Sequence, residues 1–106
     1  MEQQLEIIQG LRERYEDVVV EDKGDVLNTD LTQAIELGYM LDCAECIVVG
    51  ALERKESRGA QFRLDFPKRN DDQWLKHIDL ALNETGPKIS YSEVTMTQWE
   101  PEERTY

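Results

Sequence analysis

The sequence predicts a mainly α fold. It reads as an antiparallel helical hairpin from an up-and-down, spectrin-repeat-like bundle, then a short helix and a β-hairpin with an extended tail. Three observations carry this. Leu5, Ile8, Leu11 and Tyr15 recur at helical spacing. A broad apolar arc lies between three candidate caps at Asn28, Thr29 and Asp30 and a glycine at Gly59. Farther on, Ile78, Leu80 and Leu82 alternate with Asp79 and Ala81, the period of a strand.

The first helix starts near Gln3 without a Ser, Thr, Asp or Asn ahead of it to satisfy its free amides. That start is read as a possible cut in a longer polypeptide, with an ordinary frayed terminus as the alternative. The helix is expected to reach about Asp17, where Val18, Val19 and Val20 switch to extended preference. Residues 21–25 form a polar turn with Gly24 at the bend.

The second helix is expected to run from residue 30 to Arg58, with Gly59 in the left-handed position that ends helices. Arg54, Lys55 and Arg58 then occupy its last turns, where cations oppose the dipole. Leu31, Ala34, Leu37, Gly38, Leu41, Ala44, Val48, Val49 and Leu52 make its apolar arc, and Met40, Ile47 and Ala51 widen it. The first helix has too narrow a stripe to cover that arc, so a third helix is needed from elsewhere in the polypeptide or from a second copy. The isolated chain is therefore expected to self-associate. Residues 1–69 are read as a bundle region lacking its first helix, and 70–106 as the rest of the same domain.

Asn70, Asp71 and Asp72 can cap a short turn through Lys76. A β-hairpin about the turn residues 83–87 follows, with Ile89, Tyr91 and Val94 on the second strand. A helix continued from Asp71 to Asn83 is the competing reading. The tail is too polar to fold alone, but Trp99 and Tyr106 can anchor it to a surface.

The formal charge of −11, from 23 acids against 12 bases, repels phosphate backbones and argues against nucleic acid as a partner. No run of about 18 apolar residues suggests a membrane span. With two cysteines and no disulfide framework, a cytoplasmic setting is expected.

Cys43 and Cys46 form a CxxC placed mid-helix beside Glu45, away from the helix start that lowers a thiol pKa. They are read as packing cysteines facing another domain, with redox or shared-metal roles as the minor alternatives. His77 has no nucleophile suggested nearby and is read as a structural, hydrogen-bonding histidine. The pairs Asp71 with Asp72 and Glu102 with Glu103 are read as solvated. No phosphate loop, dinucleotide motif or serine elbow is present. No catalytic, cofactor-binding or metal residue is therefore assigned.

Arg54, Arg58 and Arg63 are the sharpest candidates. Their guanidinium forks can grip a carboxylate, a phosphate or a neighbouring domain. The structural alternative is a capping cluster paired with Glu53, Glu56 and Asp65.

The same stretch carries a family resemblance. Asn28 to Leu31, the string Lys55-Glu56-Ser57-Arg58-Gly59-Ala60 within residues 54–67, Arg69 with Asp71 and Asp72, Trp74 to His77, and Pro101 with Arg104 and Tyr106 occur in order. They resemble the C-terminal region of succinate dehydrogenase and fumarate reductase flavoprotein subunits. L-aspartate oxidase shares the Ser-Arg-Gly part, and residues 74–106 fit succinate dehydrogenase better. Gln61 departs from the pattern, where relatives often carry histidine.

The resemblance implies a larger enzyme that interconverts succinate and fumarate with FAD. Electrons pass to an iron–sulfur subunit and a quinone, at the cytoplasmic face of the inner membrane. This region would hold no cofactor itself. It would pack on the flavin and capping domains, with Arg54, Glu56, Ser57, Arg58, Arg63 and Asp65 as docking residues. A stand-alone acidic helical adaptor is the alternative of a different class.

Overall fold

The computed structural model describes residues 1–102, so Glu103, Arg104 and Tyr106 lie outside the described residues. Five elements follow one another: α1 Glu2–Tyr15, α2 Thr29–Glu53, α3 Asp71–Trp74, β1 Lys76–Ala81 and β2 Lys88–Glu93. The fold is the helical hairpin with a two-stranded antiparallel sheet that the pattern predicts.

Helix α1 begins without a side-chain cap at Met1. It packs on α2 through Ile8, which is buried, and through Tyr15. The Tyr15 hydroxyl donates to the Ala34 carbonyl at 2.8 Å. This fit needs Gly38, because a Cβ there would lie 2.8 Å from the phenol oxygen. Arg12 adds ion pairs to Asp42 and, at 3.0 Å, to Glu45. Val18 and Val19 follow α1 as exposed coil, and no strand forms there.

Asn28 caps α2 by accepting from the Leu31 amide at 2.9 Å. Its Nδ2 donates to the Asp22 and Gly24 carbonyls, which fixes the preceding turn. At 25 residues α2 is the longest element, about 38 Å at 1.5 Å per residue.

The far end of α2 corrects the expectation. The helix stops at Glu53, and Arg54 turns extended at φ −72°, ψ 108°. No basic residue occupies its last turn. Arg, Lys and Glu are all good helix formers, so nothing local forces this stop. The Arg54 side chain reaches two carbonyls twenty and more residues away, and meeting them carries the main chain off the helix axis. Gly59 does have positive φ, at 60°, but as the first central residue of a two-residue turn. Arg58 and Gln61 exchange both backbone hydrogen bonds across that turn, at 2.9 and 3.1 Å.

In the hairpin, Ile78 pairs with Tyr91 and Leu80 with Ile89. Lys76, Ile78 and Leu80 face inward, while Leu82 lies beyond the strand and is exposed. The continued-helix alternative is thereby set aside. The hairpin rests on α2 through Leu80 beside Gly50 and a Tyr91–Glu53 hydrogen bond. Trp74, buried, meets the Tyr91 ring edge-on at 6.3 Å.

Candidate functional site: an arginine–carboxylate network at the end of α2

The segment after α2 folds back over the helix end and the start of the hairpin. Glu56 sits at its centre with no exposed surface. Its Oε1 accepts from Arg54 Nη1 at 2.6 Å and Arg58 Nε at 2.8 Å. Its Oε2 accepts from Arg58 Nη2 at 3.0 Å and the Asn70 amide at 2.8 Å. Four donors thus compensate one buried carboxylate, as burial of a charge demands. Burial alone would raise its pKa. The Arg58, Asn70 and Arg54 hydrogen bonds outweigh that and hold the carboxyl below its ordinary value.

Arg54 donates onward to the Trp74 carbonyl at 2.8 Å and the Lys76 carbonyl at 2.6 Å. It thereby ties the helix end to the start of β1. Its guanidinium also lies 5.7 Å from the Trp74 ring, and Lys76 Nζ lies 4.7 Å from that ring. Arg58 continues to Asp71, whose second oxygen accepts from Arg69 at 2.6 Å. The hydrogen bonds it donates to Glu56 and Asp71 keep the Arg58 pKa above its usual value. The arginine bonds correspondingly lower Asp71. Asp71 was expected in solvent with Asp72, yet two arginines hold it.

A second cluster caps α2. Arg63, buried, donates from Nη1 to the carbonyls of Ala51 at 3.1 Å, Leu52 at 2.6 Å and Arg54 at 3.0 Å. Its Nε and Nη2 grip Asp65 at 2.9 and 2.6 Å, which lowers the Asp65 pKa. Gln61 Nε2 also donates to the Ala51 carbonyl, at 3.2 Å. The cation at the negative end of the dipole is therefore Arg63, from beyond the helix, rather than Arg54, Lys55 or Arg58.

Ser57 closes the loop. Its Oγ accepts the Arg63 amide and donates to the Phe66 carbonyl, both at 2.8 Å. All six candidate residues thus meet in two adjoining clusters around one helix end. Glu53, expected beside the arginines, instead accepts from the Tyr91 hydroxyl, and that hydrogen bond raises the tyrosine's pKa. Around the clusters Phe62 and Leu64 stand exposed, at 67% and 90%.

Sequence reasoning missed Asn70 as a ligand of Glu56 and Asp71 as a link. Their signal was present as polar residues beside Arg69, but their partners lie 13 or 14 positions away.

The other candidates are apart from this network. Cys43 and Cys46 are free, and they line a cleft with Arg12 and the hairpin turn. Among the described residues no three His, Cys, Asp or Glu side chains converge to hold a metal. His77 points from the outer face of β1, opposite Ser92. Its side chain makes no hydrogen bond among the described residues, contrary to expectation. Trp99 is 85% exposed. Among the described residues, no helix is long and apolar enough to cross a membrane.

A family model described as fumarate reductase flavoprotein C-term matches residues 1–106. The chain belongs to that family. It is 46% identical over 107 residues to a fumarate reductase flavoprotein subunit of Haemophilus influenzae, covering 100% of this chain and 18% of the relative. A succinate dehydrogenase flavoprotein subunit of Rickettsia conorii is 42% identical over 92 residues, 86% of this chain and 15% of the relative. An E. coli quinol fumarate reductase FrdA chain superposes with TM-score 0.87 at 39% identity, over 93% of this chain and 17% of that one. The chain thus spans under a fifth of the length of the relatives it matches. Members of both enzyme types are similar to it, and the comparison does not separate them.

Proposed function

We propose that this chain is the C-terminal structural domain of a flavoprotein subunit that interconverts succinate and fumarate. The flavin, as FAD, and the proton-transferring groups belong to the preceding domains of the larger protein. From there electrons would pass to an iron–sulfur subunit and a membrane quinone, with the flavoprotein peripheral at the cytoplasmic face. The direction of turnover, succinate oxidation in a dehydrogenase or fumarate reduction, is set by those domains and the quinone.

The carrying observation is the whole-chain family match in a fold that leaves part of the apolar face of its longest helix uncovered. Leu37, Met40 and Ile47 of α2 are 41%, 66% and 71% exposed. Surface of that kind needs a neighbour, and a third bundle helix ahead of α1 would supply one. The exposed Phe62 and Leu64, flanking Arg63 and Asp65, would press on the flavin domain. Arg54, Glu56, Ser57 and Arg58 would hold that loop in its docking shape.

The isolated chain is expected to bind no flavin and to turn over neither substrate. Joining it to the preceding domains should restore both. Purifying the 106-residue chain and recording its absorbance near 450 nm tests this. Stoichiometric flavin on the isolated chain would overturn the reading.

A further inference from the structure

Arg69 has a partner set that neither the capping nor the docking role requires. Nη1 donates to the Glu102 carbonyl at 2.5 Å, and Nη2 to the Pro101 carbonyl at 3.2 Å. Nη2 also holds Asp71 at 2.6 Å. One guanidinium therefore gathers two tail carbonyls more than thirty residues away, together with a carboxylate of the Glu56 network.

We infer that the C-terminal tail is a strap seated on Arg69, and that seating it tightens the loop around Glu56. The link runs through Asp71, which divides its two oxygens between Arg69 and Arg58. Arg58 in turn grips both oxygens of Glu56, and Glu56 holds the Asn70 amide. The seat reads main chain only, because both tail acceptors are backbone carbonyls. Side-chain identity at Glu102 is therefore immaterial to it, whereas the planar fork of residue 69 is essential. A lysine offers donors radiating from one nitrogen and cannot span the two carbonyls and the carboxylate in the same plane.

With the tail gone, Arg69 loses two of its three acceptors. Its side chain, already 21% exposed, is then free to turn to solvent and leave Asp71 with Arg58 alone. The strap thus has a seated and a released state, differing in how firmly residues 56–71 are held.

The test is a double-mutant cycle on the full 106-residue chain, read by hydrogen exchange of the Asn70 amide. Deleting residues 97–106 and substituting Arg69→Ala should each speed that exchange by about threefold or more. Combined, they should speed it no more than either alone. Glu102→Gln should leave the rate unchanged. Multiplying effects, or a deletion that leaves Asn70 untouched, would overturn the strap.

If the deletion prevents folding, Arg69→Lys keeps the charge and the full chain. Its heteronuclear NOE at the Glu102 amide should then fall toward that of a free terminus. A value equal to the parent's would show that nothing seats the tail on Arg69. Both readouts use this chain without substrate or flavin, so they stand apart from the succinate–fumarate reading.

Discussion

At the scale of single residues, Glu56 decides how the post-helix loop is built. Its carboxylate is fully buried and holds two guanidinium groups and one amide. Glu56→Gln removes the charge but keeps the shape, leaving Arg54 and Arg58 short of an anion. Breaking one side of a buried ion pair costs about 3 kcal/mol, and partial exposure of both arginines favours the lower end of that range. Urea denaturation of the variant should show that loss.

The pH dependence follows from the lowered carboxyl. The folded chain binds the Glu56 proton less readily than the unfolded chain does. The stabilisation is therefore fully present above the unfolded value of about 4.3 and is lost as pH falls through the lower folded value. Asp65 and Asp71 shift in the same direction but lie nearer solvent, so they add little. An acid titration followed by circular dichroism should lose stability below about pH 4, and Glu56→Gln should flatten that slope.

The arginines were legible in the sequence because cations among large apolar residues need a reason. Ser57 was legible only through the family string, whereas Glu56 was also named as a partner in the capping-cluster alternative. The partners Asn70 and Asp71 were not, because hydrogen bonds across 13 or 14 residues depend on how the chain turns between them.

At the scale of elements, α2 shows where local pattern stops being informative. Its start follows from Asn28, whose cap is a short-range interaction. Its end does not, since residues 54–58 could have continued the helix on propensity alone. What ends it is a set of distant acceptors for Arg54 and a distant cap from Arg63. Arg63→Ala leaves three carbonyls near the helix end without their cation. A partly buried charge in that position contributes up to about 2 kcal/mol, so the variant should lose about that much. The Arg54 amide, which donates to Gly50, should exchange faster. Arg63→Lys should recover part of the loss, because one ammonium can reach a carbonyl but cannot also grip Asp65 with a fork. An Arg63→Ala variant of unchanged stability would show that Gln61 alone caps the helix.

The hairpin shows the reverse case. Alternation of Ile78 and Leu80 named the element type correctly, since a period of two cannot be met by a helix face. Its boundaries slipped because Leu82 continues the alternation although β1 ends at Ala81, and Val94 lies one residue beyond β2. No periodicity distinguishes the last strand residue, Ala81, from the residue after it, Leu82, when both are apolar.

For the whole molecule, the shape itself argues for missing neighbours. A compact chain of this length has a radius of gyration of about 13 Å, yet this one measures 18.5 Å with a long axis of 55 Å. Only Ile8, Leu41 and Trp74 are buried apolar residues among those described. The wide arc that the sequence predicts is therefore present, and α1 covers only part of it.

Leu37, Met40 and Ile47 fall within about 80° of one another at 3.6 residues per turn. They form one strip away from α1, where a second copy can pack α2 against α2. Burying such side chains from both copies outweighs the cost of association only modestly. The isolated chain should therefore self-associate with a dissociation constant on the order of 10 μM. Sedimentation velocity from well below to well above that concentration should show the shift. Placing charges in the strip with Met40→Lys and Ile47→Glu should return the chain to monomer while helix content by circular dichroism stays unchanged. A wild-type chain that remains monomeric at hundreds of micromolar would mean that the bare strip tolerates water. In that event the exposed helix face would cease to be an argument for a covering bundle helix, and the family match alone would support the structural-domain reading.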